Sequence, residues 1–307
     1  MNTYLLKFKK KYHRLSVLLF DNTLGFLINF TYLIHNNLSK FLYFFHNKFF
    51  KNNPIAKKSI VEKTTEKTID DLRKNGVSTL CNFYDIQNII KKFNIYFDKK
   101  NIEQYTFLDE AGFYFLKREY FKFFEDDLNN LIFKQLGPIV EKYYNSYFKI
   151  AWINIYRCYP VPNHDDDRSL LWHFDDNPND ILKLFIYVND QDENNGAFRT
   201  LLMNDSKKIK YEDNFLSYNT QERIENQNKI NKYKDRVFVA NGKQGDVVAF
   251  QNNIVHKGNL PLKNWRDLIT IEILRSIAPI TTKDIIKKLN EAPKKDYPRF
   301  PFVGTNL

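Results

Sequence analysis

The sequence predicts an α+β protein, with helices in the first part of its compact region and then a β-sandwich or barrel that those helices cover on one side. Two observations carry this. From about residue 59 the chain reads as helices around a Gly-containing turn and one short strand. After residue 150 it changes to short runs rich in β-branched and aromatic residues, separated by clusters of Asn, Asp and Gly. The 307 residues suit one large domain with additions or two modest ones. With 28 Phe and 19 Tyr against 2 Met, the core must be unusually aromatic.

Taken in order, residues 1–58 read as an aromatic, basic, helical extension. Asp21 is the only carboxylate among the first 60 residues, although the whole chain carries a net charge of +11. The stretch Asn22–Ser39 has no charge but four Asn, which makes it a marginal spanning segment. No small-residue cleavage site follows a compact apolar core, which argues against a secretory signal. Three readings stand: aromatic helices packed on the main domain or in a dimer interface, a helix lying on a membrane surface, or a true span. The linker-like "KNNPIAKKS" follows.

Residues 59–280 read as the compact domain. A polar helix ends at the Asn75-Gly76 turn, then come a short strand and a second helix. "YFKFFEDDLNNLIFKQLGPIVEKYYNSYF" reads as further helix, broken near Gly137-Pro138. Strands are expected at 151–159, at 181–188, and in "AFRTLL", "DRVFVA", "GDVVAFQ" and "RDLITIEILRSIA". Residues 204–235 read as a polar helical insertion, and 281–307 as a C-terminal tail whose end, "EAPKKDYPRFPFVGTNL", is Pro-rich and expected to be extended. Cys81 and Cys158 lie far apart in apolar contexts, so no disulfide is expected. A reducing, cytoplasmic setting is the expectation, membrane-associated if residues 1–58 bind a surface.

The chemistry concentrates in a few positions. His173 and Asp175 are one residue apart before an apolar run, and residues i and i+2 of an extended segment point to the same side. Alone, such a pair is a weak signal. His256 follows an apolar strand and a short break, placed to meet the pair if the sheets close around a shared interior. Two histidines and one carboxylate leave three metal positions open, which is the facial triad of non-haem Fe(II) oxygenases. Arg266 opens the strand "RDLITIEIL". A buried guanidinium needs an anionic partner and offers a planar fork for a carboxylate.

His-x-Asp, about eighty residues, His, and Arg ten residues later resembles the Fe(II)/2-oxoglutarate-dependent oxygenases. More narrowly, "WHFDDNPNDILKLFIYVNDQDENNGAF" and "LRKNGVSTLCNFYD" resemble the phytanoyl-CoA dioxygenase-like group, over about residues 65–278. The resemblance implies a double-stranded β-helix (jelly-roll, cupin-like) core with helices packed on one face. It implies Fe(II) on His173, Asp175 and His256, 2-oxoglutarate anchored by Arg266, and O2 as oxidant. Asn154 and Tyr156 are candidates for facing the cosubstrate, as is Lys183 if it points inward. Trp172 is expected to pack near the metal.

Related halogenases have a small residue at the position of Asp175 to admit chloride, so the resemblance implies hydroxylation rather than halogenation. Where relatives commonly carry a Pro-Gly-Ser-His turn, this chain has "RTLLMNDSKKIKYEDN", with Ser206 in the equivalent place and no histidine. The acidic run from His164 to Asp167 reads as a solvated loop that could take a cation or a basic substrate. The expected partner is a small-molecule or acyl or lipid-linked substrate, with peripheral membrane contact open through residues 1–58. Two alternatives differ in class. A nucleic-acid demethylase would carry a second arginine six residues after the first, whereas Arg275 lies nine on, so nucleic acid is not favoured. A non-catalytic metal-binding jelly-roll protein is the other.

Overall fold

The computed structural model describes residues 33–48, 62–81, 85–109, 112–161, 168–175, 181–215 and 220–290. The linker at 51–59, the acidic run from His164 to Asp167, Asp176 and the tail at 291–307 lie outside the described residues.

A helix over 33–48 (α1) precedes Glu62–Asn75 (α2). Gly76 then turns the chain at φ 78°, and a Cβ there would meet Ile254 Cγ2 at 2.5 Å, so glycine alone fits. Val77–Leu80 (β1), Gln87–Tyr96 (α3) and Ile102–Tyr105 (α4) follow. Thr106–Leu108 (β2) and Phe113–Leu116 (β3) make an antiparallel hairpin that the sequence reading lacks. These strands are too short to show an alternation.

From Arg118 to Tyr144 the backbone is continuously helical, through a 3₁₀ turn (Arg118–Phe124), Glu125–Asn129 (α5), a π-helical stretch (Asn130–Leu136) and Gly137–Tyr144 (α6). The break expected at Gly137-Pro138 is absent, and Gly137 is helical at φ −51°, ψ −51°. Pro138 has no N–H to donate, and the wider π turn just before it absorbs the proline without ending the helix.

The remaining elements are Tyr147–Cys158 (β4), Leu182–Tyr187 (β5), Arg199–Leu201 (β6), Met203–Tyr211 (α7), Thr220–Asn226 (α8), a 3₁₀ helix at Gln227–Arg236, Val237–Val239 (β7), Val247–Gln251 (β8), His256–Lys257 (β9), Arg266–Ser276 (β10) and Thr282–Asn290 (α9). The expected polar insertion at 204–235 is helical over 204–211 and 220–235, with a non-helical turn at 212–215. Seven strands form one antiparallel sheet in the order β1-β8-β5-β10-β4-β3-β2, and β7-β6-β9 form a second.

The central strand β10 shows why the long sheet is buried on both faces. Ile269, Ile271 and Ile273 join Ile153 and Ile155 of β4 and Leu184 and Ile186 of β5 in a core shared with the helices. Each such side chain contributes about 1.5–3 kcal/mol by leaving water. The alternate positions Arg266, Leu268, Thr270 and Glu272 face the other way. On that side Phe250 of β8 meets Phe198, just before β6, at a ring separation of 4.4 Å, so one apolar cluster spans both sheets.

Two outlying helices also touch this body. In α9, beyond the expected boundary at 280, Ile285 and Leu289 are buried in the helical core. In α1 the Tyr43 hydroxyl reaches Glu141, and His46 contacts the Tyr147 hydroxyl. The same helix exposes Leu33, Ile34, Leu38, Phe41, Phe44 and Phe45. Among the described residues no helix is long and apolar enough to cross a membrane. Cys81 is exposed and Cys158 buried, both as free thiols.

Candidate metal centre

The segment before residue 175 runs beside β9. His173 N donates to His256 O at 2.9 Å and His256 N to His173 O at 2.7 Å. This two-way bridge sets the imidazoles side by side, with ring centroids 4.4 Å apart. Two residues on, Asp175 N donates to Asn252 O at 3.2 Å, which fixes the backbone that carries the carboxylate. Asp175 Oδ1 lies 3.8 Å from His173 Nε2, and Oδ2 lies 3.7 Å from His256 Nε2. One ligand atom from each of the three residues falls within 4.8 Å of the others.

The ring nitrogens are sorted by their partners. His173 Nδ1 lies 2.7 Å from Leu171 O and His256 Nδ1 2.8 Å from Ile254 O. A carbonyl only accepts, so each Nδ1 carries the proton and each Nε2 keeps a lone pair facing Asp175. Burial lowers both imidazole pKa values, His173 well below its ordinary value, helped by the neighbouring imidazole, and His256 to about 4. Both rings are therefore neutral near pH 7, as metal ligands must be. Burial alone would raise the Asp175 carboxyl, but Lys183 and the two imidazoles outweigh it and hold the group well below the usual carboxylate range. An oxygen and two nitrogens converge here with their tautomers set by the backbone, and that donor set fits a divalent non-haem iron.

Lys183 does point inward from β5. Its Nζ makes ion pairs with Asp175 Oδ2 at 2.6 Å and with Glu272 Oε1 at 2.9 Å. Burial works against its charge, and the two carboxylates more than restore it, raising its pKa. Arg266 stands further along β10, with only 4% of its surface exposed. Its Nη1 donates to Gly196 O at 2.6 Å, its guanidinium lies 5.7 Å from the Phe113 ring, and Nε has no hydrogen-bond partner among the described residues.

Asn154 accepts from Arg118 at 3.3 Å, and Tyr156 packs edge-on against Phe113. All seven residues singled out in the sequence line one cavity of about 560 Å³. Glu272, Thr270, Trp152 and Arg223 line it too, and the sequence reading misses them. The polar alternation of Arg266, Thr270 and Glu272 inside an apolar strand is the signal that could have found two of these.

The flanking positions are packing elements. Trp172 belongs to an apolar cluster with Leu201, Ile209, Phe215 and Val255. The Ser206 hydroxyl donates to Leu201 O and accepts from Val255 N, both at 2.9 Å, which ties α7 to the approach of His256. Arg275 donates to Tyr144 O, on the helical side of the sheet.

No family model matches the sequence, and no curated protein matches it either. Solved structures do. The chain is similar to the non-heme alpha-ketoglutarate-dependent carbocyclase SnoK from nogalamycin biosynthesis at 11% identity, over 73% of this chain and 86% of that one, with a TM-score of 0.50. It is similar to the non-heme alpha-ketoglutarate-dependent epimerase SnoN from the same biosynthesis at 10% identity, over 76% and 91%, with a TM-score of 0.50. It is also similar to EctD from S. alaskensis, solved with 2-oxoglutarate and 5-hydroxyectoine, at 12% identity, over 73% and 81%, with a TM-score of 0.50. At these identities the likeness establishes the fold, a cupin-like arrangement of antiparallel sheet and helices.

Proposed function

We propose that this chain is a non-haem Fe(II), 2-oxoglutarate-dependent dioxygenase with a jelly-roll core of the phytanoyl-CoA dioxygenase-like kind. Its proposed reaction is hydroxylation of a small-molecule or lipid-like substrate. The observation that carries this is the convergence of His173, Asp175 and His256, with both Nδ1 atoms tied to the backbone, in a cavity that also holds Arg266.

His173 Nε2, His256 Nε2 and the Asp175 carboxylate would hold the iron. Iron bound there would supply oxidative decarboxylation of 2-oxoglutarate by O2, coupled to substrate hydroxylation. The protein's own part is placement and charge. Arg266, its Nε unpaired and one Nη1 bond fixed on Gly196 O, offers a buried fork for the far carboxylate of the cosubstrate. Lys183 holds Asp175 ionised and in place. The aromatic walls, Phe113, Phe115, Phe185 and Phe198 among them, exclude water from the site.

His173→Ala or Asp175→Ala should abolish the slow, substrate-independent formation of succinate from 2-oxoglutarate with Fe(II). Arg266→Ala should chiefly raise the 2-oxoglutarate concentration needed. Wild-type turnover with EDTA and no added iron would overturn the reading. The nucleic-acid demethylase is not favoured, since Glu272 occupies the position six residues after Arg266 and Arg275 lies on the helical side.

The exposed apolar face of α1 favours a second statement, about place. In a segment with Asp21 as its only carboxylate, Phe41, Phe44 and their neighbours suit an anionic membrane surface, with the protein cytoplasmic and peripheral. Flotation with phosphatidylserine-containing liposomes tests this. Wild-type protein should float and the Phe41→Ser, Phe44→Ser double variant should not; equal behaviour of the two contradicts it.

A further inference from the structure

The cavity has a polar end that neither iron nor cosubstrate accounts for. Arg266, Thr270 and Glu272 share one face of β10, and six residues of strand, about 20 Å, separate the first from the last. A carboxylate drawn to Arg266 is repelled at the Glu272 end, so the two ends suit different ligands. Across the sheet Glu272 stands between Trp152 of β4 and Lys183 of β5, and Thr270 between Asn154 and Phe185. Glu272 Oε1 takes the Lys183 ammonium, but its Oε2 is buried without a hydrogen-bond partner among the described residues. Thr270 Oγ1 is buried in the same condition. The two residues are 2% and 4% exposed, and both line the cavity. Buried polar atoms left without partners are costly, and two on one cavity wall mark a place where a ligand completes the bonding.

The chemistry of that ligand follows from what each atom can do. An ionised carboxylate oxygen only accepts, so the ligand must donate to Glu272. A threonine hydroxyl both donates and accepts. An ammonium would satisfy Glu272, but it would meet the Lys183 charge already paired with the same carboxylate and would offer Thr270 nothing to donate to. A second carboxylate is excluded by Glu272. A hydroxyl group donates to one and accepts from the other. Trp152 and Phe185, in the flanking strands, offer apolar faces for the C–H side of a ring.

We propose that Glu272 and Thr270 form the primary-substrate subsite, and that the substrate is a neutral, hydroxyl-bearing ring compound, its O–H donated to Glu272 and its oxygen accepting from Thr270. The proposal rests on the dioxygenase reading, because Arg266 is assigned there to the cosubstrate.

The test uses protein loaded with Zn(II) and 2-oxoglutarate, in which turnover is blocked, and follows binding by ligand-observed NMR. The probes are trans-1,2-cyclohexanediol, cyclohexylamine and cyclohexanecarboxylate. The wild type should prefer the diol. Glu272→Gln should weaken diol binding about tenfold or more and Thr270→Val about threefold, with Thr270→Val keeping the wild-type affinity for Zn(II) and 2-oxoglutarate. If Glu272→Gln fails to fold, Thr270→Val decides. A preference for the amine or the carboxylate, no diol binding, or diol binding unchanged in the variants would overturn the subsite while leaving the metal reading intact. A wild-type protein that retains no Zn(II) would overturn the dioxygenase reading, and this inference with it.

Discussion

Asp175 faces two kinds of partner, the imidazoles of His173 and His256 and the ammonium of Lys183. Replacing Lys183 by Met leaves Asp175 and Glu272 buried without their cation. Such a loss costs about 3–5 kcal/mol. A divalent ion on the triad would restore part of it, so Zn(II) should raise the melting temperature of Lys183→Met more than that of the wild type. Equal shifts would separate Lys183 from the metal. Away from the site, burial lifts the Glu141 carboxyl to about 7, against a small opposing effect of the Tyr43 hydroxyl. The folded state thus binds a proton that the unfolded chain has released. The contribution is full below about pH 4.5 and is lost as pH rises through about 7, worth up to about 3 kcal/mol. Glu141→Gln should flatten that part of the stability profile, read from urea titrations across the range. At this scale the triad and Arg266 are legible in the sequence, because an i, i+2 pair and two later cationic or imidazole side chains follow a recognisable order. Glu272 shows in the sequence only as a polar alternate of an apolar strand, and such a glutamate reads as solvent-facing until the second sheet is known to cover it.

β10 carries the site because its two faces do different work. Its isoleucines bind the strand to the helical layer, and the alternate positions present Arg266, Thr270 and Glu272 to the cavity. The loop before β6 then locks the arginine. Gly196 sits at φ 77°, its carbonyl accepts from Arg266, and a Cβ there would lie 2.6 Å from Asn259 O. Gly196→Ala should destabilise the protein by more than about 1 kcal/mol from backbone strain alone. It should also raise the 2-oxoglutarate dissociation constant, measured by calorimetry, whereas unchanged binding would detach this loop from the cosubstrate end. The longer strands could be read in advance from their β-branched composition. The β2–β3 hairpin and the π-helical stretch could not, since one is too short for periodicity and the other compensates a proline through a turn that leaves no sequence signature.

The whole molecule divides its long sheet between two tasks, with helices and their large apolar core on one face and the cavity on the other. The wall of that cavity comes from strands far apart in the chain, which is why an order of residues in the sequence could announce a site whose shape it did not reveal. α1 and α9 both reach the body, so residues outside the expected 59–280 domain contribute to its packing. The central claim is that one divalent iron sits on His173, Asp175 and His256. Anaerobic titration of the purified protein with Fe(II), followed by elemental analysis and by visible absorption after 2-oxoglutarate is added, tests it most directly. One iron per chain with a 2-oxoglutarate-dependent charge-transfer band, both lost in Asp175→Ala and His256→Ala, is the predicted result. A wild type that holds no iron, or variants that hold it and keep the band, would contradict the account.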